Sequence, residues 1–312
     1  MKVCYSHSDY NGSLSGVLTL GIFDGFHLGH QKIVKQVVSR ARENHCPSIL
    51  MTFDPHPLTF LQPQLGVRRL FPLEDLIQQA ASLGVEYLII EKFSKGFSKL
   101  TAPVFFEQYI YKPFRPSCLT VGYDLRFGFN REGSVQSLKR WAKKYLFEVE
   151  EISPFKINGD IVSTSMLKKA FSDNDLSRMN SLMGRPFSLQ GDIVSGEGRG
   201  KQLGFPTLNV QTSSLLPEKK GVYLCLLHLE QKVFPGVMNI GVNPTFSDLN
   251  PRVKVEVHLI SACPQGITKG KVQVDILNYI RDEKQFDSVD SLKREIKSDV
   301  EKAKAYFNSR KL

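Results

Sequence analysis

The sequence predicts an α/β protein of two domains, a doubly wound parallel sheet covered by helices followed by an antiparallel barrel or sandwich with a closing helix. Three observations carry this expectation. Up to about residue 183, short apolar runs alternate with amphipathic helical patterns; from about residue 188, strand-like runs follow one another between Gly, Pro and Asn turns; and residues 288–308 return to helical periodicity. The change of texture near Ser181 to Pro186 sets the expected domains at residues 1–183 and 184–312.

In the first domain, residues 17–20 read as a strand running into a Gly-rich turn, and Ile33, Val34, Val37, Val38 and Ala41 mark the inner face of the next helix. Further strands are expected at 49–53, 87–90, 119–121 and 147–152, with helices at 74–83, 104–111 and 135–145. That order implies a parallel sheet with ligands at the carboxyl ends of its strands. In the second domain, strands are expected at 188–194, 221–229, 233–239, 253–260 and 271–279, with no helix between them.

A chain of 312 residues, 41% hydrophobic and 23% charged, has the composition of a soluble protein with room for two cores. No run approaches the roughly 18 apolar residues of a membrane helix. Residues 1–11 are polar and lack the apolar stretch of a signal peptide, so a cytoplasmic location is expected. Cys4, Cys46, Cys118, Cys225 and Cys263 are scattered without a CxxC pair, which fits reduced thiols and argues against a zinc ribbon. The net charge of +10 is shared evenly, +5 on each side of residue 183, and aromatics do not interleave with the basic residues. Anionic small molecules are therefore the expected partners, with neither nucleic acid nor membrane. The densest basic cluster, Lys139, Arg140, Lys143 and Lys144, has the spacing of one solvated helix face.

Two segments are built for phosphate. In Gly21-Ile22-Phe23-Asp24-Gly25-Phe26-His27-Leu28-Gly29-His30, a strand ends in a turn where glycine permits close backbone approach, and a helix N-terminus follows. His27 and His30, three apart, can address one ligand and stabilise charge developing on a triphosphate. A metal half-site is the competing reading, but no third ligand lies nearby in sequence. In the second segment, Gly196, Gly198, Gly200 and Gly204 surround Arg199 and Lys201 in an amide-rich loop. Its spacing fits neither a Walker A loop nor a GxGxxG fingerprint. Thr207 and Asn209 follow, two apart on an extended segment, so their oxygens share one face and suit Mg²⁺. In 253–259, Lys254, Glu256 and His258 share the face opposite Val255, Val257 and Leu259; by pattern alone Glu256 is a surface residue.

The first segment resembles the (H/T)xGH nucleotidyltransferase signature, and its extended form is similar to the adenylyltransferase half of the bifunctional bacterial riboflavin kinase/FAD synthetase family. Thr52-Phe53-Asp54-Pro55-His56-Pro57, Val121-Gly122-Tyr123-Asp124-Leu125-Arg126-Phe127-Gly128 and Val162-Ser163-Thr164-Ser165-Met166-Leu167-Lys168 resemble further segments of that half. The loop from Gly198 to Asn209, with Gly221-Val222-Tyr223, Pro235-Gly236-Val237-Met238-Asn239-Ile240-Gly241, Asn243-Pro244-Thr245-Phe246 and Val255-Glu256-Val257-His258-Leu259, resembles the kinase half. The resemblance implies a nucleotidyltransferase domain followed by a riboflavin kinase barrel.

The same resemblance assigns roles. Gly21, Phe23, Asp24, Gly25, His27, His30, Ser163, Thr164, Ser165 and Lys168 would serve ATP and its phosphates, with His27 and His30 catalytic, while Asp124 would help hold the flavin. Gly198, Gly200, Lys201 and Gly204 would cradle the second ATP, Thr207 and Asn209 would bind Mg²⁺, and Glu256 would be the base that activates the riboflavin 5′-hydroxyl. Arg281 would lie beside the flavin. Lys168 stands where the family has arginine, Leu125 where it has phenylalanine, and Lys269-Gly270 where it has Tyr-Gly. Riboflavin, FMN and ATP are then the expected substrates, FMN and FAD the products. The alternative is a riboflavin kinase whose first domain is degenerate or serves another acceptor.

Overall fold

The computed structural model describes residues 1–12, 15–61, 64, 69–196, 198–242, 253–260 and 269–310. The segment Asn243 to Phe246, residues 261–268 and Cys263 lie outside the described residues. The chain divides into two compact units, Met1–Met166 and Leu167–Leu312.

The first unit holds a six-stranded sheet: β1 (Lys2–Cys4), β2 (Val17–Leu20), β3 (Ser48–Asp54), β4 (Tyr87–Lys92), β5 (Cys118–Gly122) and, after the short ribbon β6 (Arg126–Phe127) with β7 (Gly133–Ser134), β8 (Glu148–Ile152). All five pairings are parallel, in the order β1-β4-β3-β2-β5-β8. Alternation sorts the strand side chains onto two cores. Leu18, Leu20, Ile49, Met51, Ile89, Leu119 and Val121 face one cluster, whereas Leu50, Leu88 and Ile90 face the other.

The covering helices begin with α1 (Leu28–Glu43), α2 (Pro57–Leu61) and α3 (Leu73–Ser82). Val34 and Val38 of α1 enter the second cluster; Val37 and Ala41 join Val17 and Cys118 in a smaller one. The helix expected at 104–111 is instead α4 (Ala102–Phe105), a π-helical stretch Phe106–Tyr111 and α5 (Lys112–Phe114). Pro113 has no N–H to return to the carbonyl four residues back, which disfavours an ordinary ladder there. α6 (Val135–Tyr145) lies where the pattern put it. A second ribbon, β9 (Lys156–Ile157) with β10 (Asp160–Ile161), precedes α7 (Thr164–Ser172). The chain runs outward from β2 through β3 and β4, then returns to place β5 on the other side of β2. The crevice at the carboxyl ends of β2 and β5 is thus the switch point of the sheet.

In the second unit, α8 (Leu176–Met183) leads into β11 (Phe187–Val194), α9 (Arg199–Leu203), β12 (Thr207–Thr212), β13 (Gly221–Leu229), β14 (Lys232–Val242), β15 (Val253–Leu259), β16 (Gly270–Asp282) and α10 (Val289–Arg310). The strands form a closed antiparallel barrel, β11-β12-β15-β14-β13-β16. α9, a single turn inside the Gly-rich segment, corrects the expectation of no helix between the strands; Phe205 N–H donating to Gly200 O at 2.8 Å closes it. Leu208, Val257, Met238 and Tyr223 lie in one cross-strand row and are buried. The neighbouring row, Asn209, Glu256, Asn239 and Val222, therefore lies on the opposite, outer face. α10 covers part of that face, with Val300, Ala303 and Phe307 against Val222, Leu224 and Val237.

Candidate active sites

At the switch point the backbone is bent tightly. Phe23, Gly25 and Phe26 all have positive φ, and the two phenylalanines are held there by burying their rings in the core. Asp24 is buried, its Oδ1 accepting from Leu70 N–H at 3.0 Å, and Gln31 Nε2 donates to Phe26 O at 3.0 Å. The turn is thereby fixed before any ligand arrives.

His27 caps α1 through Nδ1, which accepts from His30 N–H at 3.3 Å. In the neutral ring the proton is then on Nε2. The His27 and His30 rings stack at 3.6 Å, 17° apart, and Phe23 meets His30 edge-on at 5.2 Å. A Cβ at Gly29 would lie 3.1 Å from the His27 ring, so glycine lets the helix start pass this close. Burial pushes His27 down to about 4; burial, then the neighbouring His27, drives His30 well below the ordinary imidazole value. His30 Nδ1 has no hydrogen-bond partner among the described residues. Both rings open onto a cavity of about 260 Å³, shared with Gly29, Gly122, Asp124 and Ser163 to Ser165. Ser163 Oγ accepts from Met166 N–H at the start of α7.

The second cavity, about 410 Å³, lies on the outer face of the barrel beneath the first half of α10. Asn209, Glu256 and Asn239, paired in register on three adjacent strands, form its floor; Thr207 and His258 form the next row. Directly paired side chains stand about 5 Å apart. A Cβ at Gly196 would overlap Asn209 Nδ2, and one at Gly200 would sit 3.2 Å from Thr207 Oγ1. The glycines leave room around two oxygen-bearing side chains. His258 Nδ1 is 2.9 Å from Pro206 O, tying the loop to β15. Opposite, Arg281 is engaged by Asp299 and Glu295 of α10.

A family model described as FAD synthetase matches residues 12–166, and one described as riboflavin kinase matches residues 183–307. A bifunctional riboflavin kinase/FMN adenylyltransferase of Escherichia coli (strain K12) is 34% identical over 292 residues, covering 93% of this chain and 92% of that protein. The chain belongs to the bifunctional riboflavin kinase/FMN adenylyltransferase family. The family member from Listeria monocytogenes serovar 1/2a is 30% identical and covers 98% of both chains. A solved structure described as a macrolide-efflux protein from Streptococcus pneumoniae matches with a TM-score of 0.86 at 28% identity, over 97% of this chain and 98% of that one. In this family member, no helix among the described residues is long and apolar enough to cross a membrane.

The structure gathers His27, His30, Asp124, Ser163, Thr164 and Ser165 around one cavity of this family member, and Gly198, Gly200, Thr207, Asn209, Glu256 and Arg281 around the other. Gly21, Phe23, Asp24 and Gly25 shape the turn without lining the first cavity. Lys168 belongs to the second unit and lines neither cavity. Lys201 is exposed and Gly204 ends α9 at φ 87°; neither lines the second cavity. Leu125 packs against the core of the first unit. Asn239, Lys254 and Asp299 carry no assigned role in the sequence reading, which places Lys254 only on the face shared with Glu256, although all three line the second cavity. Asn239 and Lys254 carried a usable signal in their alternation with apolar neighbours; Asp299, in a charged helix, carried none.

Proposed function

We propose that the two units of this riboflavin kinase/FMN adenylyltransferase carry out consecutive reactions, the barrel converting riboflavin and ATP to FMN and ADP, and the parallel-sheet unit converting FMN and a second ATP to FAD and pyrophosphate. The observation that carries the division is the grouping on each cavity: Glu256 beside Thr207 and Asn209 in the barrel, and the stacked imidazoles of His27 and His30 beside Asp124 and Ser163 to Ser165 in the sheet unit.

In the barrel the nucleophile is an alcohol, which must lose a proton as it attacks the γ-phosphorus. Glu256 is the base we assign, taking the 5′-hydroxyl proton as ADP leaves. The floor and loop offer hard oxygen donors in Thr207 and Asn209, which suit Mg²⁺, and the clearance at Gly196 and Gly200 leaves their atoms accessible. When bound there, Mg²⁺ would neutralise phosphate charge. The side chains orient the acceptor and the nucleotide, and the closely turned Gly198–Gly200 segment lets the polyphosphate approach.

In the sheet unit the nucleophile is the FMN phosphate, ionised near neutral pH. It attacks the α-phosphorus and pyrophosphate departs, with no proton to remove. What this step needs is donors fixed toward the phosphates, and His27 can supply Nε2–H as a neutral imidazole. Ser163 to Ser165, at the start of α7, add hydroxyl and amide donors. The setting we propose is the cytoplasm, as the five scattered cysteines without a CxxC pair suggest.

Incubating the purified chain with riboflavin and MgATP and separating the flavins by chromatography tests the proposal. FMN should accumulate first and FAD follow. FMN that never proceeds to FAD, even when supplied in excess, would leave only the kinase; unchanged riboflavin would remove both assignments.

A further inference from the structure

α10 meets the barrel in two ways. Its second half packs by apolar contact through Val300, Ala303 and Phe307. Its first half, which supplies Leu292, Ile296 and Asp299 to the wall of the kinase cavity, packs through Ile296 and is fastened in addition by charge. Arg281 Nε donates to Asp299 Oδ1 and Oδ2 at 3.1 and 2.9 Å, and Nη2 donates to Oδ2 at 2.8 Å. Nη1 donates to Asp282 O at 2.9 Å. Glu295 Oε1 lies 3.2 Å from Arg281 Nε and accepts from Lys284 Nζ at 2.7 Å. The four charges balance, two positive from the strand end and the segment after it, two negative from the helix.

Asp299 is 2% exposed. A carboxylate that deep is tolerated only beside its countercharge, and a forked pairing fixes the plane of the guanidinium as well as its position. With one edge of Arg281 so occupied, its orientation in the cavity is set by Asp299. We infer that Asp299 is a positioning residue of the kinase reaction, acting through Arg281 to hold the first half of α10 as the flavin-side wall of the cavity. The inference rests on the kinase reading of that cavity. A purely structural ion pair would lower thermal stability but leave the kinetics of the folded protein alone.

The test uses the full chain and Asp299→Asn, which keeps the shape and removes the charge. Riboflavin KM should rise ~10-fold or more, with a smaller change in kcat at saturating riboflavin. FAD formation from supplied FMN should stay at its original rate. Arg281→Gln should give a similar rise in KM, and the double variant should add nothing to it, because Asp299 acts through Arg281 alone. Should Asp299→Asn not fold, Arg281→Lys takes its place: it keeps the countercharge but loses the fork, and the same rise in KM is expected. A folded Asp299→Asn with original KM and kcat, effects that multiply in the double variant, or an unchanged KM in the substitute Arg281→Lys would overturn the inference. A parent chain that makes no FMN would instead overturn the kinase reading beneath it.

Discussion

On the proposed assignment, the two cavities would serve phosphorus chemistry by opposite means. The sheet unit works at the ends of parallel strands, where backbone turns and a helix start converge, and its histidines are buried deeply enough to be neutral. The barrel works on an outer face, where Asn209, Glu256 and Asn239 stand side by side across three strands and charged groups from β16 and α10 close the far side. The difference follows the nucleophile. An alcohol needs a base; a phosphate needs only donors and alignment.

The comparison breaks most sharply at Glu256. Glu256→Gln should lower FMN formation by about 10²- to 10⁴-fold, the ordinary worth of a general base, and leave adenylylation of supplied FMN intact. Initial rates with each flavin measure this directly, and a loss of less than tenfold would remove Glu256 from the chemistry.

A second consequence concerns the sheet unit alone. His27 goes from an ordinary value near 6.5 to about 4 on folding, so the unfolded chain binds the extra proton between those values. Its contribution to stability is therefore present above about pH 6.5 and lost as pH falls toward 4, and a shift of that size corresponds to about 3 kcal/mol. The chain has one tryptophan, Trp141, in the sheet unit and 4.7 Å from the Phe106 ring, so urea titrations followed by its fluorescence report on that unit. His27→Gln should make the dependence between pH 7 and 4 shallower, with His30, itself held low by burial, keeping part of it; an equally steep fall in the variant would show that His27 does not contribute.

The smallest effect expected is at Gly196→Ala. The new Cβ would displace Asn209, and FMN formation should fall roughly tenfold, consistent with overpacking of about 1–3 kcal/mol. Kinetics with riboflavin check it, and undiminished turnover would mean that the position of Asn209 is not critical.

Much of this was legible in the sequence because periodicity and turn chemistry act locally. Strands 17–20 and 221–229 and helix 135–145 have the bounds their patterns indicate. The edge strand β1 was not, being three residues long and mostly exposed or half-buried. The change of texture near residue 183 registers where strands begin, but not that α8 is joined to the barrel by Asn180 Nδ2 donating to Ile276 O at 3.2 Å. Around the sites, the pattern placed Glu256 on the outer face of its strand, and that face became a cavity only because α10 covers it. Phe23 and Asp24 occupy positions that look ligand-facing in sequence, yet the turn points Phe23 into the core and buries the Asp24 carboxylate. Asp299 depends on a contact eighteen residues away in sequence that no local pattern encodes.

The division of labour is tested most directly by mixing two singly disabled chains, His27→Ala and Glu256→Ala, with riboflavin and MgATP. Alone, the first should stop at FMN, with FAD formation reduced about 10²- to 10³-fold, and the second should leave riboflavin unchanged while still converting supplied FMN to FAD. Mixed, they should make FAD after a lag, as FMN released by one chain is adenylylated by the other. Loss of both half-reactions in either folded variant, or a mixture that stops at FMN, would contradict two separate sites.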